Sequence, residues 1–128
     1  MIQGIDEPVI MTRVVHMGDG NGSGNLFGGT LMGWMDEVCG TAAHRFARTR
    51  VTTAAVKTIN FRLPIPYGTI LQLEGQVCKV GHTSMEVEVK AWMEKNDLKQ
   101  DPVLAADGVF IFCSLGADGR PQKIQRAL

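Results

Sequence analysis

Residues 28–48 read GGTLMGWMDEVCGTAAHRFAR, and their periodicity decides what kind of domain this is. Leu31, Met35, Val38, Ala42 and Phe46 recur at steps of three and four with no proline among them, the signature of one apolar helix face. Arg45, Arg48 and Arg50 follow where the helix macrodipole is negative and favours positive charge. The spacing predicts one long helix, and no other segment has a comparable period. Upstream, 7–15 is rich in Val, Ile and Met and predicts a first strand; 17–25, crowded with Gly, Asn and Asp, predicts a loop. Downstream, strands are predicted at 51–63, 70–80, 84–94 and 103–115. Leu71, Leu73 and Val77 alternate with polar neighbours, as do Met85, Val87, Val89 and Ala91, so each of these strands buries one face. Pro64 to Gly68 and 96–102 read as connections, and Gly81-His82 as a two-residue hairpin turn. In 103–115, Val103, Leu104, Val109, Phe110, Ile111 and Phe112 put apolar side chains on both faces, which predicts a central strand or one covered by another chain. One helix over about five antiparallel strands is an α+β two-layer architecture, and 1–128 is the length of a single domain.

Composition narrows the function classes. Hydrophobic residues are 45% and charged residues 20%, which is globular; 13 basic and 13 acidic residues without long runs leave no footprint for nucleic acid or an anionic membrane. Cys39, Cys78 and Cys113 have neither disulfide-framework nor zinc spacing, the N-terminus lacks an apolar signal-peptide region, and no apolar run approaches the ~18 residues of a span. The expectation is a cytoplasmic protein.

A second helical stripe is where chemistry is expected. Gly29, Gly33, Asp36 and Gly40 share a face, three glycines each cost the helix up to ~1 kcal/mol, and Asp36 is the stripe's one functional group, placed mid-helix where aspartate is neither a cap nor a good former. The pattern predicts a close approach there, although a solvated acid on a loosely packed helix would look the same. Gly28-Gly29 brings the chain into the helix with bare backbone N–H groups, which can polarise a carbonyl oxygen. His16, His44 and His82 are scattered, G-x-S-x-G is absent, and Cys39 reads as a buried structural thiol.

With Asn21-Gly22-Ser23-Gly24-Asn25-Leu26-Phe27-Gly28-Gly29, Leu31 to Glu37, Phe61 with Pro64 and Gly68, and Gly81-His82-Thr83-Ser84-Met85-Glu86-Val87, the sequence resembles the hotdog-fold acyl-CoA thioesterases. It is most similar to the YciA-type bacterial hydrolases and the mammalian cytosolic and brown-fat enzymes. The resemblance implies a hotdog fold, a long helix wrapped by the sheet, and hydrolysis of acyl-CoA to free fatty acid and CoA without metal or redox cofactor. It implies Asp36 as general base or nucleophile, Asn21 as the residue orienting water or substrate beside the acid of the opposite subunit, and Gly28 and Gly29 as the oxyanion-binding helix start. It implies substrate contacts at Phe27, Arg62, Gly81, Thr83 and Ser84, and a homodimer or trimer of dimers. Two departures from the family pattern are Arg62-Leu63-Pro64, with the basic residue one place early, and Thr69 where an acid is usual. The rival expectations are a hotdog enzyme acting on acyl carrier protein or on aryl- or hydroxyacyl-CoA, and a non-catalytic acyl-CoA-binding module.

Overall fold

The structure, a computed structural model, describes residues 7–128; the reading of the first six residues as free of a signal segment lies outside the described residues. In chain order the elements are β1 (Val9–Val14), a 3-10 turn (Met17–Asp19), α1 (Gly28–Ala47), β2 (Arg50–Phe61), β3 (Ile70–Val80), β4 (Ser84–Met93) and β5 (Val103–Leu115). The strands form one antiparallel sheet in the order β1-β3-β4-β5-β2. The expected elements are thus all present, with β1 and β2 at the edges and β5 inside.

The helix seats as its period requires: Leu31, Met35, Val38, Ala42 and Phe46 are buried, joined by Cys39, Ala43 and Ala47. They meet Leu71, Leu73 and Val77 of β3, Met85, Val87 and Val89 of β4, and Phe110 and Phe112 of β5 in one core. Gly75 on β3 sets how closely the layers approach, since a Cβ there would stand 3.2 Å from the Val38 carbonyl oxygen. Along the helical glycine stripe the predicted close approach is made at Gly29, where a Cβ would stand 2.6 Å from the Phe27 ring, and not at Gly33, where it would meet nothing within 4 Å; at Gly40 it would meet the Phe112 ring at 3.4 Å.

One detail differs from the sequence reading, the tip of the β3–β4 turn, and two go beyond it. The loop before the helix is organised by a reciprocal cap, with the His16 amide donating to the Asp19 carboxylate at 2.9 Å and the Asp19 amide to the His16 carbonyl at 3.0 Å. The β3–β4 turn has His82-Thr83 at its tip, because the Gly81 amide already bonds the Ser84 carbonyl at 2.8 Å and Val80 faces Met85. Most consequential is β2: none of its 12 residues is buried, and among the described residues β5 is its sole neighbour. No described helix is long and apolar enough to cross a membrane.

Candidate active site

Two acids stand side by side on the exposed face of α1, and their surroundings separate them. Glu37 is bound by the Arg13 guanidinium at 2.6 Å, and Arg13 in turn lies over the Trp34 ring. Asp36 has no cation within ion-pair reach among the described residues. Its Oδ1 accepts a hydrogen bond from the Thr53 hydroxyl of β2 at 2.6 Å, short as expected when the acceptor is charged. That bond fixes the carboxylate's rotation and leaves Oδ2 without a partner among the described residues, and Asp36 lines a cleft of about 520 Å³ whose other walls include Gly40, Thr41 and His44 of the helix and Thr52 and Phe112 of the sheet. An oriented carboxylate with a free oxygen, half-buried and open to solvent, can accept a proton from water or attack a carbonyl. Behind it Cys39 is fully buried, and burial, followed by the Asp36 charge, pushes its thiol far above the usual range, so it stays protonated and structural.

Thr53 was not picked out by sequence reasoning. It is 17 residues from Asp36, and only the β2–β5 register, which shifts between Thr53 and Ala55, brings it against the helix. The available signal was weak: a hydroxyl pair, Thr52-Thr53, at the start of the strand that follows the helix.

The other predicted groups collect elsewhere. Phe27 is the N-cap of α1 and contributes no side-chain cap; the first intrahelical bond runs from Leu31 to Phe27, leaving the amides of Gly28, Gly29 and Thr30 without helical acceptors. A Cβ at Gly29 would stand 2.6 Å from the Phe27 ring, and one at Gly28 3.7 Å from the Phe61 ring, so two exposed aromatics flank those amides. Asn21 sits beside them. Its side-chain oxygen accepts the Ser23 amide at 2.8 Å, and its NH₂ group has no partner among the described residues. Asn21, Gly28, Phe61 and Arg62 line a second cleft of about 290 Å³, whose remaining wall includes Leu26, Leu31, Leu63 and Ile65.

Arg62 reaches this cleft already engaged, its Nε and Nη2 forked on Asp107 at 2.9 and 2.8 Å. Desolvation pulls the Asp107 carboxyl upward, but the hydrogen bonds from Asn60 and Arg62 outweigh it and hold the group below the usual carboxylate range. Gly81, Thr83 and Ser84 lie at the far end of the sheet. Ser84 pairs with Cys113 while Phe61 and Ala91 both pair with Ala106, so seven residues of β4, about 23 Å, separate the turn from the Arg62 end. The structure therefore places Asp36, Thr53 and the Gly81–Ser84 turn toward one end, and Asn21, Phe27, Gly28, Gly29 and Arg62 toward the other. Along the helix itself Gly29 and Asp36 are about 10 Å apart. One carbonyl group cannot touch both. Among the described residues no three His, Cys, Asp or Glu side chains form a metal-binding group.

Residues 23–99 match the family described as the Thioesterase superfamily. The chain is 38% identical over 120 residues to an uncharacterized acyl-CoA thioester hydrolase of Zymomonas mobilis, covering 92% of this chain and 78% of that one. It superposes with TM-score 0.89 and 31% identity on the acyl-CoA hydrolase of Staphylococcus aureus in complex with butyryl coenzyme A, coenzyme A and coenzyme A disulfide, covering 94% and 73% of the two chains. On the hexameric thioesterase of Yersinia pestis the TM-score is 0.84 at 27% identity, covering 98% and 99%. Alanine variants of the Staphylococcus aureus enzyme exist at an asparagine, an aspartate and a threonine separated by 15 and 17 residues, the separations of Asn21, Asp36 and Thr53 in this sequence. Its helix, its sheet order and its sequence agree: the chain is a hotdog-fold protein and belongs to the thioesterase superfamily.

Proposed function

We propose that this protein hydrolyses acyl-CoA thioesters to the free acid and coenzyme A. The observation that carries the proposal is the Asp36 carboxylate held by Thr53 at the edge of an open cleft, with Glu37 beside it neutralised by Arg13. Asp36 Oδ2 takes a proton from water as the water oxygen bonds to the thioester carbon, or itself bonds to that carbon. In either case the carbonyl electrons move onto oxygen, return, and the C–S bond breaks with the thiolate leaving; where Asp36 itself has attacked, water then cleaves the resulting anhydride, releasing the free acid and restoring the carboxylate. The developing oxyanion calls for backbone donors, which the unsatisfied amides at Gly28 and Gly29 supply, and the Asn21 NH₂ group orients the water or the carbonyl. No step in this chemistry requires a metal or redox cofactor.

Because the two groups of residues are about 10 Å apart within one chain, the reading requires a second copy. β2 provides the means, being an exposed 12-residue edge with backbone groups free to pair. Two such edges related by a two-fold axis run antiparallel, and a pairing centred near Lys57 sets Thr53 opposite the partner subunit's Phe61. Asp36 and Thr53 of one chain then face the helix start and Asn21 of the other, and each dimer has two complete sites. The hexameric relatives support assembly beyond that dimer.

Steady-state thiol release from acyl-CoAs of increasing chain length, including aryl and hydroxy forms, tests the reading. Wild type is expected to turn over several of them, and Asp36→Asn to lose at least about a hundredfold in kcat while still binding. Binding without turnover in the wild type would sink the enzyme reading. Labelled oxygen appearing in Asp36 in a single turnover would assign it as nucleophile.

A further inference from the structure

Asn21 has a task in the proposed reaction, yet its own segment has no core of its own to hold it. From His16 to Asn25 no residue is buried, and the tip Gly22-Ser23-Gly24 turns through positive φ at both glycines, 84° and 91°. Backbone pairing supplies part of the support. Residues 19–27 form a small hairpin, with the Phe27 amide on the Asp19 carbonyl at 2.9 Å, Gly20 opposite Leu26, and the Asn21 amide on the Asn25 carbonyl at 2.9 Å. The second arm of this hairpin pairs in turn with 65–67, the Leu26 amide bonding the Ile65 carbonyl at 2.8 Å and the Tyr67 amide the Gly24 carbonyl at 3.0 Å. The glycine at 20 is there for space, because its φ of −92° and ψ of 169° are open to any residue. A Cβ at Gly20 would collide with the ring and hydroxyl of Tyr67, whereas one at Gly18, Gly22 or Gly24 would meet nothing within 4 Å.

We propose that Tyr67 is a positioning residue for Asn21: its ring, seated on the bare backbone of Gly20, holds in place the strand that presents the Asn21 NH₂ group to the reacting thioester. The inference rests on the thioesterase reading and names what keeps that reading's asparagine in place. Tyr67 is a firm support because its own backbone is tied from two sides. The Thr69 amide bonds the Pro66 carbonyl at 3.3 Å around a tight turn in which Gly68 takes φ 86°, the Gly68 amide bonds the Val15 carbonyl at 2.7 Å, and the Val15 amide returns to the Thr69 carbonyl at 3.0 Å, with Val15 buried in the core. From that turn the ring reaches across the Asn25 arm of the hairpin to Gly20, one residue from Asn21. The two supports do different work. The bond from the Ser23 amide to Asn21 Oδ1, at 2.8 Å, fixes the side chain's rotation, and the ring on Gly20 fixes where the backbone that carries it stands. The Tyr67 hydroxyl makes no hydrogen bond among the described residues, so the contact belongs to the ring. A shift of about 1 Å in a group that orients water or a carbonyl is enough to cost one to two powers of ten in rate.

The test is a cycle of variants read by acyl-CoA hydrolysis and by thermal melting. Tyr67→Ala is expected to lower kcat at least about tenfold with KM within about twofold, and Tyr67→Phe, which keeps the ring, to hold kcat within about threefold of wild type. Gly20→Ala, which pushes the ring off its seat, should reproduce the kcat loss, and adding it to Tyr67→Ala should cost little more. The deciding arm is the Asn21→Ala background, where Tyr67→Ala should cost less than about twofold because the group it places is gone; a ring with a merely structural role costs the same factor in both backgrounds. Equal kcat losses in the two backgrounds, wild-type kcat in a folded Tyr67→Ala or Gly20→Ala protein, wild-type kcat in Asn21→Ala, or a loss in Tyr67→Phe as large as in Tyr67→Ala would each overturn the inference. Failure of the thioesterase reading is distinct from these, because the wild type would then release no thiol, while melting would still show whether the penalty of Gly20→Ala vanishes once Tyr67 is removed.

Discussion

Replacing Thr53 by valine removes one hydrogen bond from Asp36 and little else, because valine keeps the branched shape and the strand preference of threonine. At 2.6 Å and with a charged acceptor, that bond belongs to the class whose net worth is about 1.5–3 kcal/mol. Thr53 is exposed in the single chain, so the lower part of the range, about 1.5–2 kcal/mol, is a conservative figure for the assembled site. If that energy holds Asp36 in its reactive rotation, kcat should fall about 10- to 30-fold. Thr53→Ser, which restores the hydroxyl, should recover to within about threefold. The assay is thiol release at saturating acyl-CoA, alongside thermal melting to show that the fold survives. In the Asp36→Asn background the valine substitution should cost little more, since the two groups act as a unit. A kcat for Thr53→Val within threefold of wild type, or the same loss for serine as for valine, would refute the argument.

Other expectations follow from the same geometry. Co-refolding Asp36→Ala with Asn21→Ala chains should restore about a quarter of wild-type activity, since half the dimers are mixed and one of their two sites carries both native residues; activity no higher than the parent variants would show that sites are not shared. Gly108→Ala should lower stability by about 1–3 kcal/mol in denaturant melts, because its Cβ would stand 2.7 Å from the Thr58 carbonyl oxygen. Asp107 has its carboxyl held down in the folded state, so the stability it contributes is present above the ordinary carboxylate range and disappears as pH falls through the lowered folded value. The stability gap between wild type and Asp107→Asn should therefore narrow on acidification; a gap that widens would reverse the sign assigned here.

Local patterns carried much of the architecture. The period of Leu31, Met35, Val38, Ala42 and Phe46 located the helix, and alternation in β3 and β4 identified their buried faces. Asp36 stood out because an acid mid-helix among glycines contradicts helix propensity. What stayed hidden depends on register between distant segments. Thr53 reaches Asp36 through a bulged pairing of β2 with β5, and Arg62 meets Asp107 across 45 residues of chain, so neither partnership leaves a local trace. The apolar character of 103–115 was visible, but the bareness of β2 was not, because RVTTAAVKTINF shows a strand without showing which neighbours it will have.

That bareness also ties folding to concentration. A strand whose Val51, Val56 and Ile59 are only partly buried leaves apolar surface for a partner to cover, and a second copy docked on it, as proposed above, would add free energy that grows with protein concentration by mass action. Melting temperature should therefore climb on concentration and sag on dilution. In a cell the level of expression would then shift how stable this protein is as well as how much is made. Chains newly released from synthesis would expose an adhesive edge until they met a sibling, and co-translational encounter on the same message would shorten that interval.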